Sequence, residues 1–209
     1  MRYICVPLTS DSRHKDEIKS FVIDREKSIV SDEDAVIGLE AYLKKLAWWD
    51  DVNGNVKVYL IKDMTVDGCI VAYFGLKAGI VIDKSQDAIP LQDVKEALNE
   101  QNIKLVPAVV PGIEISHFAV NDNYRRQVGN IRGLGEYLYP TFIYPIIEEV
   151  ASKIGVRIIY LYAAGDEHLI QYYRRVFGFQ NSTNDDMYTP LLPNYDKGCY
   201  FMYTILPCG

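Results

Sequence analysis

The stretch Ile113–Gly135 places a strand, a glycine-bearing basic loop and a long helix in direct succession. The strand pattern runs to Val120, polar residues end it, and Gly133 and Gly135 come directly before an apolar pattern of helical period. Glycines let a backbone approach a ligand closely, and the N–H groups and dipole of a helix N-terminus favour an anion. The stretch therefore predicts a phosphate-holding loop, with Arg132 as a charged donor and an ordinary connection as the alternative.

The strand of this stretch also carries the first candidates for chemistry. Strict alternation places Ile113, Ile115, His117 and Ala119 on one face of the strand. It places Glu114, Ser116, Phe118 and Val120 on the other face. This arrangement predicts that Glu114 is buried against Phe118.

Length and charge limit the class of protein. The chain has 209 residues, with 22 Lys+Arg against 28 Asp+Glu, a net charge of −6 and a pI near 5.1. We expect a single domain over 1–209 with an insertion around 83–108, and the charge argues against broad nucleic-acid binding. The four cysteines are scattered without a CxxC pair, and neither a signal peptide nor an 18-residue apolar run is present. We therefore expect a reduced, cytoplasmic protein without a membrane anchor.

The remaining pattern predicts an α/β domain. Strands are expected at Arg2–Leu8, Val56–Lys62, Cys69–Ile82, Val156–Ala164 and Cys199–Leu206, and helices after Ser31, around Leu91–Asn99, after Gly135 and over Asp166–Phe177. The helix after Gly135 has an apolar stripe of Leu138, Phe142, Ile146, Ile147, Val150 and Ile154. Pro140 and Pro145 lie within it and predict a kink or a delayed start.

Three segments together resemble the GNAT (Gcn5-related) N-acetyltransferase superfamily, best over Val56–Phe179. They are the strand at 114–120, the loop Asn130-Ile-Arg-Gly-Leu-Gly135, and the helix from Asp166 through Tyr173 to Gly178-Phe179. The resemblance implies a single-domain α/β (α+β) fold with a mixed, mostly antiparallel central sheet flanked by helices. It also implies acetyl-CoA as cosubstrate, with no metal.

The resemblance further implies the residues of a site. The cofactor-binding set would be Phe118, Ala119, Val120, Asn130, Ile131, Arg132, Gly133, Leu134, Gly135 and Asp166. Glu114 would take the amine proton, with His117 as the alternative base. Tyr173 would give a proton to the leaving thiolate, with Tyr172 as its neighbouring rival.

Two departures from the family pattern bear on this site. Asn130 stands where Gln or Arg is usual, and the segment from Tyr124 to Gly133 is longer than in the family. They favour one alternative, a non-catalytic acyl-CoA-binding module. Tyr73–Gly79 is similar to a strand of toxins that acetylate aminoacyl-tRNA, which gives a second alternative.

The leading interpretation is an N-acetyltransferase that moves an acetyl group to a primary amine by direct attack in a ternary complex. The acceptor would be a small or peptide amine, because acidic residues in Ser31–Asp50 and Gln180–Lys197 could steer a cation. Charged tRNA remains open as an acceptor. A homodimer remains open as the oligomeric state.

Overall fold

The computed structural model describes residues 2–24, 38–84, 109–129, 131–181, 187–191 and 199–207. The strands are β1 (Tyr3–Pro7), β2 (Lys57–Asp63), β3 (Cys69–Asp83), β4 (Val109–Val120), β5 (Ile158–Ala164), β6 (Gln180–Asn181), β7 (Tyr188–Pro190) and β8 (Cys199–Ile205). The α-helices are α1 (His14–Glu17), α2 (Leu39–Lys45), α3 (Ala47–Val52), α4 (Asp122–Val128), α5 (Leu134–Leu138), α6 (Tyr144–Ile154) and α7 (Glu167–Phe177). The start of the predicted helix after Ser31, the predicted helix around Leu91–Asn99 and the loop residue Asn130 lie outside the described residues. The rest of the helix predicted after Ser31 is described and forms α2 and α3.

All eight strands belong to one sheet, ordered β1-β2-β3-β4-β5-β8-β6, with β7 beside the far end of β3. Every pairing is antiparallel except the parallel contact of β4 with β5. The predicted mixed, mostly antiparallel sheet is therefore confirmed, and β2 and β3 form an antiparallel hairpin within it.

The described residues form three hydrophobic cores, and the two larger ones lie under helices on opposite faces of the sheet. On the face that we call the N-terminal face, Leu43 of α2 and Ala47 of α3 pack with Leu60 and Tyr73. On the opposite, C-terminal face, α5, α6 and α7 cover a larger core. Its members include Phe74, Ile115, Leu138, Ile147 and Ile170. Both cores are required because a central strand presents an apolar side chain to each face in turn.

A β-bulge in β4 overturns the predicted assignment of faces. Gly75 of β3 lies opposite His117 and Leu76 lies opposite Ile115, so Ser116 is an extra residue in β4. The alternation shifts by one position at this residue. Glu114 and His117 consequently lie on the same, N-terminal face, whereas Phe118 lies on the C-terminal face.

The prediction that Glu114 packs against Phe118 is therefore wrong. Strict period-two counting is valid only up to a bulge, and every residue beyond it changes face.

The helix after Gly135 contains the predicted interruption. Tyr139–Ile143 forms a π-helical turn between α5 and α6, with Pro140 inside it and Pro145 at the start of α6. A π-turn adds one residue, so the buried stripe steps from Leu138 to Ile143 and then to Ile147 and Ala151. The predicted stripe is right at Ile147 and wrong at Val150 and Ile154, which are exposed.

Candidate active site

The site begins where β4 and β5 part. The two strands pair over only three residues of each, from Gly112 opposite Ile158 to Glu114 opposite Tyr160. Beyond this point β4 remains paired with β3 as far as Val120, and β5 remains paired with β8 as far as Ala164. Among the described residues, the edge of β4 that faces β5 thus has no strand partner from Ile115 onward. This opening exposes backbone hydrogen-bonding groups in the middle of the sheet.

A cleft of ≈ 290 Å³ lies at this opening. It is lined by three consecutive residues of β4, Phe118–Val120, and by Gly133–Glu136 at the start of α5. Leu169, Tyr172 and Tyr173 of α7 form the opposite wall. The cleft therefore joins the predicted strand edge, the predicted glycine loop and the predicted acid in one cavity.

The glycine loop has the geometry that the sequence predicts. Gly133 is the N-cap of α5 and has a φ of 69°, in the left-handed region that favours glycine. A Cβ on Gly135 would lie 2.9 Å from the Tyr172 hydroxyl oxygen, so glycine makes room for this tyrosine at the cleft wall. The helical run that begins here continues through the π-turn into α6, to Ile154.

Arg125 is a further functional candidate; the sequence leaves Arg125 and Arg126 open between phosphate contacts and solvated loop arginines. Arg125 lies on α4, lines the cleft, and binds Asp122 through Nη1 at 3.2 Å. Its Nε is buried and has no hydrogen-bond partner among the described residues. A buried guanidinium N–H without a partner is costly, which indicates an anionic ligand.

The sequence feature that places Arg125 on a helix is the N-cap at the start of α4. The Asn121 side chain accepts a hydrogen bond from the Asn123 backbone N–H and so caps a helix in a stretch that reads as a polar loop.

The two tyrosines of α7 both lie in the cleft. Tyr173 packs between Phe177 and Phe179, with ring centroids 5.8 and 6.2 Å away. Burial raises the pKa of Tyr173 to about 12, and burial together with the Glu136 carboxylate raises the pKa of Tyr172 to about 12. Both phenols therefore hold their protons at neutral pH, as a proton donor must.

Three predicted cofactor-binding residues lie beside the cleft and do not line it. Ile131 packs against the core of the C-terminal face, and Arg132 is exposed. Asp166 is the N-cap of α7, as predicted, where its carboxylate accepts hydrogen bonds from the backbone N–H groups of His168 and Leu169.

A second cavity, of ≈ 200 Å³, opens on the N-terminal face. It is lined by Lys77, Gly79, Glu114, Tyr160, Tyr162 and Leu191, among others. Glu114 is only 4% exposed, and its carboxylate lies 3.0 Å from the Lys77 ammonium. β4 thus contributes Phe118–Val120 to the cleft and Glu114 to the second cavity, so the two cavities lie on opposite faces of the same strand.

Two glycines shape the wall of this second cavity. A Cβ on Gly79 would overlap the Tyr160 hydroxyl, and one on Gly112 would lie 3.0 Å from the Tyr160 ring. The ring of Tyr160 therefore lies flat over the backbone of β3 and β4. Tyr162 packs edge-on against it, with ring centroids 6.2 Å apart.

His117 lies further along the N-terminal face. Its ring stacks on Tyr42 with centroids 3.6 Å apart, and its Nδ1 lies 3.0 Å from the Ser116 hydroxyl oxygen. Burial, together with the positive charge of Lys77, lowers the pKa of His117 to about 4. The imidazole is therefore neutral at pH 7.

The comparison with solved structures identifies the fold. No protein-family model and no curated protein sequence matches the chain. Solved structures of acetylating toxins do match, and the chain has the fold of GNAT acetyltransferases. The predicted fold class is confirmed.

Three of these structures define the similarity. One is a tyrosine-to-phenylalanine mutant of the AtaT toxin bound to the C-terminus of the antitoxin AtaR and acetyl-CoA. Its TM-score is 0.59 at 12% sequence identity, and the match covers 98% of this chain and 94% of that chain. AtaT complexed with acetyl-methionyl-tRNAfMet has a TM-score of 0.59 at 14% identity, covering 95% and 93%. A tyrosine-to-phenylalanine mutant of KacT has a TM-score of 0.55 at 12% identity, covering 98% and 95%.

Two further observations concern the part of the chain that the structure describes. It contains no group of three or more His, Cys, Asp or Glu side chains that could hold a metal ion. It also contains no helix long and apolar enough to cross a membrane.

Proposed function

We propose that the protein is an acetyl-CoA-dependent N-acetyltransferase of the toxin type, with the amino group of an aminoacyl-tRNA as acceptor. The observation that carries this proposal is the cleft, which brings the free edge of β4, the glycine loop and Tyr173 together. The similar AtaT structures bound to acetyl-CoA support the choice of donor.

The residues of the cleft fit an acyl-CoA. Gly133–Gly135 at the helix start and the partnerless Nε of Arg125 are suited to phosphate groups. The unpaired backbone of Phe118–Val120 is suited to the amides of a pantetheine arm. Acetyl-CoA bound here would supply a thioester carbonyl to the amine.

Tyr173 is the proposed acid. Its phenol holds a proton at neutral pH in an apolar setting and lies in the same cleft as the glycine loop. A proton delivered from this position would make the thiolate a better leaving group. Solved structures of two similar toxins are tyrosine-to-phenylalanine mutants, which is consistent with a role for a tyrosine.

Glu114 is the proposed proton acceptor for the amine. It faces the second cavity, on the opposite side of β4 from the glycine loop, where an acceptor can enter without crossing the donor. Its carboxylate is paired with Lys77, so an incoming ammonium would have to compete for it. His117 is the alternative, because its imidazole is neutral and lies on the same face.

The acceptor class is supported by two observations. AtaT has been solved with acetyl-methionyl-tRNAfMet. Of the acidic residues of Ser31–Asp50 that the structure describes, Glu40 pairs with Lys44 at 2.7 Å and Asp50 accepts a hydrogen bond from the Asn55 side chain at 3.1 Å. They are therefore less suited to steering a cationic small amine than the sequence alone indicated.

The test is an acetylation assay with labelled acetyl-CoA against aminoacyl-tRNA, polyamines and lysine peptides, with Gly133→Asp as the control. The aspartate places a negative charge at the anion-binding loop and strains a left-handed position, so it should abolish labelling. Labelling of aminoacyl-tRNA is expected. Labelling of small amines alone would restore the first interpretation, and binding without turnover would indicate an acyl-CoA-binding module.

A further inference from the structure

The second cavity contains a buried ion pair in contact with space for a ligand. Lys77 and Glu114 face each other across β3 and β4, with side chains 24% and 5% exposed. The cavity that the ion pair lines is also lined by Tyr160, Tyr162 and Leu191. If the pair only linked two strands, its place in a cavity wall would add little to stability. Its place in the cavity wall, next to the opening between β4 and β5, suggests that it contacts the acceptor.

The pair offers both kinds of hydrogen bond to one ligand group. The Lys77 ammonium carries three N–H donors, and the Glu114 carboxylate has about four lone-pair sites. The ammonium and carboxylate are 3.0 Å apart, so a group that carries an acceptor and a donor side by side can contact both. The carboxylate also retains sites for a second donor, such as the reacting amine.

Charge and solvation disfavour charged and aliphatic acceptor side chains. A charged side chain would add a third charge to a neutral pair with little water around it. An aliphatic side chain would strip the remaining water from both charges and return no hydrogen bond. A primary carboxamide has neither fault, because its C=O accepts from an ammonium while its NH₂ donates to a carboxylate.

The aromatic wall suits the same group. Tyr160 lies flat over Gly79 and Gly112 and presents its ring near the ion pair. A carboxamide is planar and can stack on such a ring. The cavity of ≈ 200 Å³ admits a small side chain of this kind.

We propose that Lys77, Glu114 and Tyr160 form a specificity subsite that selects an acceptor amino acid with a carboxamide side chain, asparagine or glutamine. This inference rests on the proposed function, since it names the aminoacyl group that the same site acetylates.

The test keeps the RNA constant and changes the amino acid. One tRNA is charged in turn with asparagine, glutamine, leucine and aspartate, and kcat/KM is measured with labelled acetyl-CoA. The carboxamide acceptors should exceed leucine and aspartate by about 10-fold or more, the effect of one hydrogen bond to a charged group.

Lys77→Met should collapse this ratio, because it removes the donor to the carboxamide C=O. Lys62→Met is the matched control, since Lys62 forms a similar ion pair with Glu17, at 2.7 Å, on β2 away from the cavity. The control should keep the ratio.

The outcomes separate the two proposals. Acetylation of all four acceptors at similar rates, or a preference for leucine, would overturn the carboxamide subsite and leave the acetyltransferase intact. A preference that survives Lys77→Met would also overturn it. Absence of labelling on every charged tRNA, with acetyl-CoA still bound, would overturn the aminoacyl-tRNA acceptor and the subsite together.

Discussion

The Lys77 ammonium lies 3.0 Å from the Glu114 carboxylate, and the two residues are directly opposite each other in the register of β3 and β4. The register is maintained on this side of the Ser116 bulge. The bulge then brings His117 to the N-terminal face, which also carries Lys77 and Glu114.

Breaking this pair should destabilise the protein. Lys77→Met leaves the Glu114 carboxylate buried without its partner, and we expect a loss of about 1–3 kcal/mol in the free energy of unfolding. The double variant Lys77→Met/Glu114→Gln removes the unpaired buried charge and should recover much of the lost stability. Urea unfolding of both variants measures the difference. Equal stability of the two would mean that the pair is solvated.

The bulge also marks the limit of what could be predicted from the sequence. The strands, the hairpin and the helix over 167–177 follow from periodicity and caps, because those signals are local. The extra residue at Ser116 has no such signal. It is set by the contact of Gly75 with His117, a pairing between strands far apart in the chain.

The candidate site divides in the same way. The glycine loop could be proposed from a local pattern of glycines before a helix, and Tyr173 from the resemblance of the helix after Asp166 to the family's. The choice of Arg125 over Arg126 could not be made, since it depends on how the short helix α4 is placed after β4. The π-turn at Tyr139–Ile143 likewise moved the buried stripe by one residue, and prolines indicate an interruption without fixing its length.

The crowding of Gly135 against Tyr172 gives a prediction on donor binding. Gly135→Ala adds a Cβ that would lie 2.9 Å from the Tyr172 hydroxyl oxygen and should push this ring into the cleft. The acetyl-CoA-induced rise in melting temperature should therefore fall.

Tyr172→Phe removes that hydroxyl, so it should restore the rise in the Gly135→Ala background. Calorimetry with and without acetyl-CoA measures both effects. A rise in Gly135→Ala as large as in the unchanged protein would place the donor elsewhere.

Replacement of Tyr173 tests the proposed acid. Tyr173→Phe keeps the packing against Phe177 and Phe179 and removes the proton, so kcat should fall by about 10²–10⁴-fold with little change in acetyl-CoA affinity. Tyr172→Phe is the adjacent control and should retain most of its turnover. A larger fall of kcat in Tyr172→Phe than in Tyr173→Phe would assign the acid to Tyr172.

The buried imidazole of His117 predicts a pH dependence of stability. Its pKa is lowered from 6.5 to about 4 in the folded protein, so between these values the unfolded chain binds the additional proton. Stability contributed by neutral His117 is thus present above pH 6.5 and is lost as the pH falls toward 4. His117→Gln should flatten this part of the unfolding profile. A profile with the same slope in the variant would show that other groups cause it.

Arg125 lines the cleft, and its Nε has no hydrogen-bond partner in the part of the chain that the structure describes. Arg125→Met removes a charge-assisted contact to phosphate, which typically contributes about 1.5–3 kcal/mol, so the Kd for acetyl-CoA should rise by about 10- to 100-fold. The salt dependence of binding should also become shallower, because one charge fewer is screened.

Arg126 is the matched control for that change. It follows Arg125 on α4 but pairs with Asp24 at 2.6 Å, and its side chain is 54% exposed. Arg126→Met should leave acetyl-CoA binding nearly unchanged, since an exposed pair of this kind contributes little. Isothermal titration of both variants at low and high salt distinguishes them. Equal affinities would mean that the buried Nε of Arg125 does not contact the donor, and the phosphate contacts would then rest on the glycine loop alone.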